Sequence, residues 1–94
     1  MAEFTVRMVL HDNATWEDYE KLHQEMANRQ LVDVITSDQG VTYRLPPAEY
    51  YGTGEVTIER CRQIAAEAAR AVGKPYSVFV TMGGSRAWLN MDPV

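Results

Sequence analysis

The sequence predicts an α+β domain in which two amphipathic helices cover one face of an antiparallel sheet. Three observations predict it. Apolar residues alternate from Phe4 to Leu10, which is typical of a strand with one buried face. Two later stretches repeat apolar residues every three or four positions, which is typical of helices. A further strand-like run extends from Tyr76 to Met82. The 94 residues suit a single domain, 1–94, with one modest core.

The first strand and the first helix are predicted from Phe4 onward. Phe4 begins a strand that ends at Leu10, and a loop follows. Thr15, with Asp18 three positions later, forms a capping-box pattern that begins a helix. We expect the helix to end near Arg29 or Gln30. Its apolar stripe consists of Trp16, Tyr19, Leu22, His23 and Met26.

The middle of the chain is predicted to be extended. A second strand covers Leu31 to Thr36, where β-branched residues are concentrated. The turn 37–40 leads into a short extension or return strand, 41–45. Pro46-Pro47 cannot pair inside a sheet, so we expect a kink or a sheet edge there. The third strand covers 48–56, and its two glycines, Gly52 and Gly54, are compatible with a bulge.

The last third of the chain is predicted to contain a helix and two strands. Thr57 caps the second helix and Gly73 ends it. Its apolar face consists of Ile58, Cys61, Ile64, Ala65, Ala68 and Val72. The strand 76–82 follows, and Gly83-Gly84 is predicted as a hairpin turn into an extra C-terminal strand, Arg86 to Met91. This order favours a ferredoxin-like βαββαβ sandwich, with both helices on one face of the antiparallel sheet.

Composition restricts the class of function. The net charge is −4 and the pI is about 5.0, which counts against salt-driven nucleic-acid binding over a broad basic surface. The single cysteine, Cys61, excludes an intramolecular disulfide. No apolar run is long enough to span a membrane, and the N-terminus lacks the pattern of a secretory signal. We therefore expect a cytoplasmic protein that does not bind membranes.

The candidate acid–base residues are the two histidines. His23 lies beside the apolar stripe of the first helix, and His11 follows the first strand. Imidazole exchanges protons near neutral pH, so either could act as an acid or a base. The alternatives are a half-buried structural histidine at 23 and a solvated loop at 11. No second His or Cys stands at ligand spacing, so no metal and no other cofactor is predicted.

Arginines and aromatic residues are the candidates for contact with RNA. Stacking of bases and neutralisation of phosphates would use Arg7, Arg44, Tyr43, Tyr50, Tyr51, Arg86 and Trp88 if they share one sheet face. The alternative is that the tyrosines and Trp88 belong to the core or to the interface of a homodimer. In a third function class, a structural dimer without a ligand, Tyr50, Tyr51 and Trp88 would be buried at a two-fold interface.

The order of these features resembles the GhoS family, the endoribonuclease antitoxins of type V toxin–antitoxin systems. The resemblance begins at the first strand and is clearest over Tyr19 to Met26. It continues through Leu31, Val34, Ile35, Asp38, Gly40, the segment 43–45, the helix after Thr57 and the strand after Tyr76. It implies a ferredoxin-like fold and cleavage of single-stranded messenger RNA that encodes a small membrane-lytic toxin. The basic residue that the family carries on the first helix corresponds to His23, with Lys21 two positions before it.

A metal-independent ribonuclease mechanism is compatible with these residues. His23 or His11 would be the base that activates a ribose 2′-hydroxyl. Arg44, Arg7 or Arg86 would hold the phosphate and stabilise the phosphorane. RNA contacts are expected from Lys21, Arg7, Tyr43, Tyr50 and Arg86. The main alternative is a non-enzymatic acidic module that binds a protein partner, such as a phage or mobile-element inhibitor or a nucleic-acid mimic.

Overall fold

The order of helices and strands follows the predicted alternation. The computed structural model describes residues 1–94. The strands are β1 (Ala2–Leu10), β2 (Val34–Thr36), β3 (Thr42–Arg44), β4 (Glu49–Gly54) and β5 (Tyr76–Met82), and the helices are α1 (Trp16–Asn28) and α2 (Ile58–Val72). The predicted α+β class is confirmed. No helix has the length and apolarity needed to cross a membrane.

β1 is the central strand of the main sheet. It pairs antiparallel with β4 on one side and with β5 on the other, which makes the order β4-β1-β5. Val32 adds one antiparallel bridge to Tyr51 on the outer side of β4. The resulting order of β5, β1, β4 and the Val32 segment is compatible with the ferredoxin-like arrangement. β2 and β3 form a separate two-stranded sheet, so the predicted return strand is present.

One core lies between the main sheet and the two helices. The alternation of β1 buries Phe4, Val6, Met8 and Leu10 on the helix side. α1 adds Leu22 and Met26 to this core, and β4 adds the large ring of Tyr50. α2 contributes small side chains, which are Cys61, Ala65, Ala68 and Ala69. Because alanine side chains are short, α2 packs close to β1 and β5.

Both helices begin and end where their capping residues predict. The Thr15 hydroxyl accepts from the Asp18 amide at 3.2 Å, and the Asp18 carboxylate accepts from the Thr15 amide at 2.8 Å. This reciprocal bonding lowers the pKa of Asp18. Thr57 accepts from the Arg60 amide at 3.0 Å. α2 ends at Gly73, whose φ of +90° is left-handed and favours glycine.

Two expectations for the middle strands are wrong. The second strand is shorter than predicted, because the chain changes partners at Asp33: Val32 bonds to β4, whereas β2 bonds to β3. β4 contains no bulge, since its register with β1 is unbroken from Gly54 to Glu49. Gly52 instead allows a close approach of the segment after α1. A Cβ atom there would lie 2.7 Å from the Leu31 side chain and 2.8 Å from the Gln30 carbonyl oxygen.

The C-terminal segment also differs from the prediction. Gly83-Gly84 does not form a hairpin, and residues 86–91 are not a strand. The segment instead crosses from the end of β5 to β3, where Asp92 accepts from the Arg44 amide and Val94 donates to the Thr42 carbonyl, both at 2.9 Å. Arg86 directs this path, because its Nε donates to the Thr5 hydroxyl on β1 at 2.8 Å.

Candidate functional site

A cleft of about 830 Å³ opens beside α1 and is the candidate functional site. α1 contributes Trp16, Tyr19 and His23, whose spacing of three and four places them on one helix face. The facing walls are residues 44–49, which run from the end of β3 to the start of β4, and the C-terminal segment 89–92, with Asp33 beside them. Part of the stripe predicted to enter the core therefore lines this cleft, while Leu22 and Met26 are buried.

His23 is fixed by a buried tyrosine at the back of the cleft. Its Nδ1 lies 2.6 Å from the hydroxyl oxygen of Tyr50, and the two ring centroids are 5.5 Å apart. Tyr50 is 0% exposed. A hydroxyl group can donate or accept, so this bond suits either tautomer of the imidazole. Nε2 is left as the nitrogen that a ligand in the cleft can use.

Burial holds the Tyr50 phenol in its neutral form. Removal of the ring from water, reinforced by the negative charge of Asp33 and by Tyr19, raises the pKa of Tyr50 well above its usual value. The group therefore acts as a neutral hydrogen-bonding partner of His23 rather than as a counter-ion. Its role is to hold the imidazole in one orientation.

Tyr19 connects the start of α1 to the end of β1. Its hydroxyl accepts from the Leu10 amide at 3.0 Å and lies 3.4 Å from the Leu10 carbonyl oxygen, to which it donates. These bonds satisfy backbone groups at the end of a central strand and fix the helix that carries His23. α1 is therefore attached to the sheet at two places, by Tyr19 to the end of β1 and by His23 to Tyr50 of β4.

Arg44 is the cation on the opposite wall. Its guanidinium lies 3.5 Å from the Asp33 carboxylate, and most of its side chain is exposed, so the pair is weak and leaves N–H donors for an anion. Asp33, Glu49 and Asp92 also line the cleft. Carboxylates therefore outnumber cations along its walls, which favours a ligand that carries positive charge or meets only the Arg44 side.

The other predicted basic residues of the first helix region lie outside the cleft. His11 bonds to the Ser77 hydroxyl at 2.8 Å through Nε2, at an exposed position. Lys21 is two positions from His23, which on a helix is about 200° around the axis. It lines a shallow groove with Glu17, Asp18 and Glu20 on the outer side of α1. Neither His11 nor Lys21 lines the cleft that contains His23.

Arg86 is used within the protein. Its guanidinium carbon lies 5.0 Å from the centroid of the Tyr51 ring, and its Nη1 lies 3.7 Å from the Glu3 carboxylate. The Tyr51 hydroxyl donates to the same carboxylate at 2.6 Å, and burial together with that bond raises the pKa of Tyr51. In this structure the guanidinium of Arg86 is engaged by Glu3, Thr5 and Tyr51, and its contact with RNA stays a prediction.

The remaining predicted contacts are also dispersed. Arg7 lies on the sheet face opposite the helices, beside Phe79 of β5. Tyr43 packs edge-on against Trp88, with 5.7 Å between ring centroids. Tyr50 cannot stack on a base and cannot lie at a dimer interface, because its ring is fully buried. Of the predicted site residues, His23 and Arg44 therefore line the cleft, whereas Tyr50 is buried behind His23.

Several lining residues were missed by the sequence analysis as members of a site. Leu89 and Asp92 reach the cleft from the C-terminal segment and Glu49 from the start of β4, about 40 positions earlier, so no local spacing pattern connects them. No group of three or more His, Cys, Asp or Glu side chains is placed to hold a metal ion. Comparison with known protein families finds no match, and comparison with curated proteins finds no significant relative.

Proposed function

We propose that the chain is a metal-independent endoribonuclease that cleaves single-stranded RNA in this cleft, with His23 as its acid–base residue. One observation carries the proposal: Tyr50 occupies Nδ1 of His23 at 2.6 Å and leaves Nε2 for a ligand, in a cleft that Arg44 also lines. The resemblance to the GhoS antitoxins supports the class of substrate, a cytoplasmic transcript that encodes a small membrane toxin.

The mechanism follows from the two nitrogens of His23. With Nδ1 protonated and donating to the Tyr50 oxygen, Nε2 accepts the proton of a ribose 2′-hydroxyl. The 2′-oxygen then bonds to the adjacent phosphorus, and the bond from phosphorus to the 5′-oxygen breaks. The imidazolium returns its proton to that 5′-oxygen. The products are a 2′,3′-cyclic phosphate and a 5′-hydroxyl, and Arg44 neutralises the phosphorane oxygens.

The test is cleavage of a labelled, unstructured RNA in EDTA at low salt. His23→Asn retains a polar atom for Tyr50 but cannot exchange protons, and His23→Ala removes both functions. Each should lose about 10²-fold or more in rate, the usual contribution of an acid–base group. His11→Ala is the matched control and should cleave like the wild type, because His11 lies outside the cleft. Cleavage at the wild-type rate by His23→Asn contradicts the mechanism.

A second candidate function is a non-enzymatic protein-binding module. The observations that favour it are two exposed apolar side chains at the cleft, Trp16 (73%) and Leu89 (83%), beside the three carboxylates. In addition, six of the nine Lys and Arg residues are within ion-pair distance of a carboxylate. Such a cleft fits a protein segment with an apolar side chain flanked by cations.

The two functions make different predictions for Trp16. Titration with a synthetic peptide that carries a leucine between lysines would measure segment binding directly. Trp16→Ala should weaken that binding at least tenfold if the module is correct, while Phe79→Ala on the opposite face should leave it unchanged. RNA cleavage that persists in Trp16→Ala and ends in His23→Asn supports the ribonuclease.

A further inference from the structure

The outer edge of β5 has no partner in the chain. β5 lies at the end of the sheet order β4-β1-β5. Two hydrogen bonds to the β1 side flank this strand: the Pro75 carbonyl accepts from the His11 amide, and the Gly83 amide donates to the Glu3 carbonyl. Residues 75 and 83 are both odd-numbered, so the odd-numbered residues of β5 direct their N–H and C=O groups toward β1. Because these groups alternate along an antiparallel pair, Tyr76, Val78, Val80 and Met82 turn theirs outward.

This edge has none of the usual devices that prevent pairing. Natural edge strands carry charges, prolines or bulges, or they are covered by another segment. The sequence of β5, Tyr-Ser-Val-Phe-Val-Thr-Met, contains no charge and no proline. Its register with β1 is unbroken from Phe4–Met82 to Leu10–Tyr76. The opposite side of the sheet differs, because there the Val32 bridge covers the outer edge of β4.

Two large apolar side chains of β5 are exposed, whereas Tyr76, Val78 and Val80 pack against the core. Phe79 is 69% exposed and Met82 is 51% exposed, although the strand pairs with the most buried strand of the protein. The chain as a whole carries a net charge of −4, yet none of that charge lies on β5. Two copies can therefore approach along this strand without bringing like charges of the strand together.

We propose that β5 pairs antiparallel with β5 of a second copy, about a two-fold axis at Phe79. Tyr76 then pairs with Met82 of the other copy, and Val78 pairs with Val80, so every outward-turned residue finds a hydrogen-bonding partner. The two Phe79 residues form the central non-hydrogen-bonded pair, with Cα atoms about 4.5 Å apart, where side chains approach most closely. The two sheets become one continuous sheet, with an isologous interface.

The first test is the mass in solution by sedimentation and light scattering. The wild type should have twice the 10.7 kDa chain mass at micromolar concentration. Phe79→Lys places two cations opposite each other and should raise the dissociation constant at least 100-fold. Leu89→Lys makes the same change at an exposed apolar position away from β5 and should remain dimeric. A monomeric wild type, or equal dissociation in both variants, overturns the proposal.

The second test needs no substitution and reads individual amides by hydrogen exchange. The amides of Tyr76, Val78, Val80 and Met82 should become protected as the protein concentration rises. The amides of the intervening residues, 77, 79 and 81, are the internal control, because β1 already bonds them in one copy. Exchange of the outward amides that does not change with concentration overturns the proposal, even if Phe79→Lys fails to fold.

Discussion

Gly52 and Gly54 form a matched pair that tests how closely the chain packs against β4. Both glycines lie in one strand, two positions apart, and neither has a left-handed φ. An added Cβ atom at Gly52 would lie 2.7 Å from Leu31 Cδ2 and 2.8 Å from the Gln30 carbonyl oxygen. An added Cβ atom at Gly54 would meet nothing within 4 Å. Alanine at these two positions should therefore have opposite consequences.

The size of the effect follows from which atoms must move. Leu31 is buried and the Gln30 carbonyl belongs to the backbone, so neither can move freely. Overpacking of this kind costs about 1–3 kcal/mol of unfolding free energy. For a domain of this size, each kcal/mol corresponds to a fall of about 4–8 °C in Tm. Gly54→Ala should be neutral or stabilising by up to about 1 kcal/mol, because it restricts only the unfolded chain.

The measurement is urea unfolding followed by circular dichroism for the wild type and both variants. Gly52→Ala should lower the midpoint without changing the slope, since the loss is in the folded state. Gly54→Ala controls for the loss of backbone freedom that any glycine substitution causes. Equal stability of the two variants would refute the close approach of the segment after α1 to β4.

Four further predictions concern individual side chains. Tyr50→Phe removes the hydroxyl bonded to His23 and should cost about 1 kcal/mol in urea unfolding, whereas Tyr43→Phe should stay within about 0.5 kcal/mol. Because folding raises the pKa of Tyr50, the free energy of unfolding of the wild type should fall as pH rises above about 10. Tyr50→Phe should reduce that fall, and the same pH dependence in both proteins would contradict this prediction. Thr57→Ala should destabilise the protein by about 1 kcal/mol through loss of the α2 cap, and an unchanged urea midpoint would contradict this. Arg86→Ala should accelerate proteolysis of residues 87–94, because Arg86 holds that segment on the sheet; wild-type digestion rates would exclude this role.

Local patterns predicted the helices and the long strands closely. The capping box at Thr15, the cap at Thr57 and the left-handed Gly73 act within a few residues, so their effect is visible in the sequence. Strand β5 has the predicted bounds, and β1 is two residues longer than predicted. These elements depend on periodicity and capping, which are properties of short segments.

The candidate site was only partly predictable. His23 and Arg44 were identified because their side chains carry useful chemistry, but their shared cleft depends on the β3–β4 connection and the C-terminal segment. Trp16 was assigned to the apolar stripe of α1, yet it lies at the cleft and is exposed, because the first turn of the helix extends past the core. Periodicity identifies a face of a helix but not what that face meets.

The sequence by itself determined the alternation of strands and helices, the ends of both helices and the absence of charge on β5. Those features arise from residues close together in the chain. Only the tertiary structure decided that Tyr50 is buried against His23, that Arg86 is occupied by Tyr51 and Glu3, and that the last segment crosses to β3. Each of these features depends on contacts between residues at least 27 positions apart. The last segment, in addition, has no periodic pattern from which its path could be predicted. Such contacts are selected by packing and hydrogen bonding of the whole fold rather than by local preference.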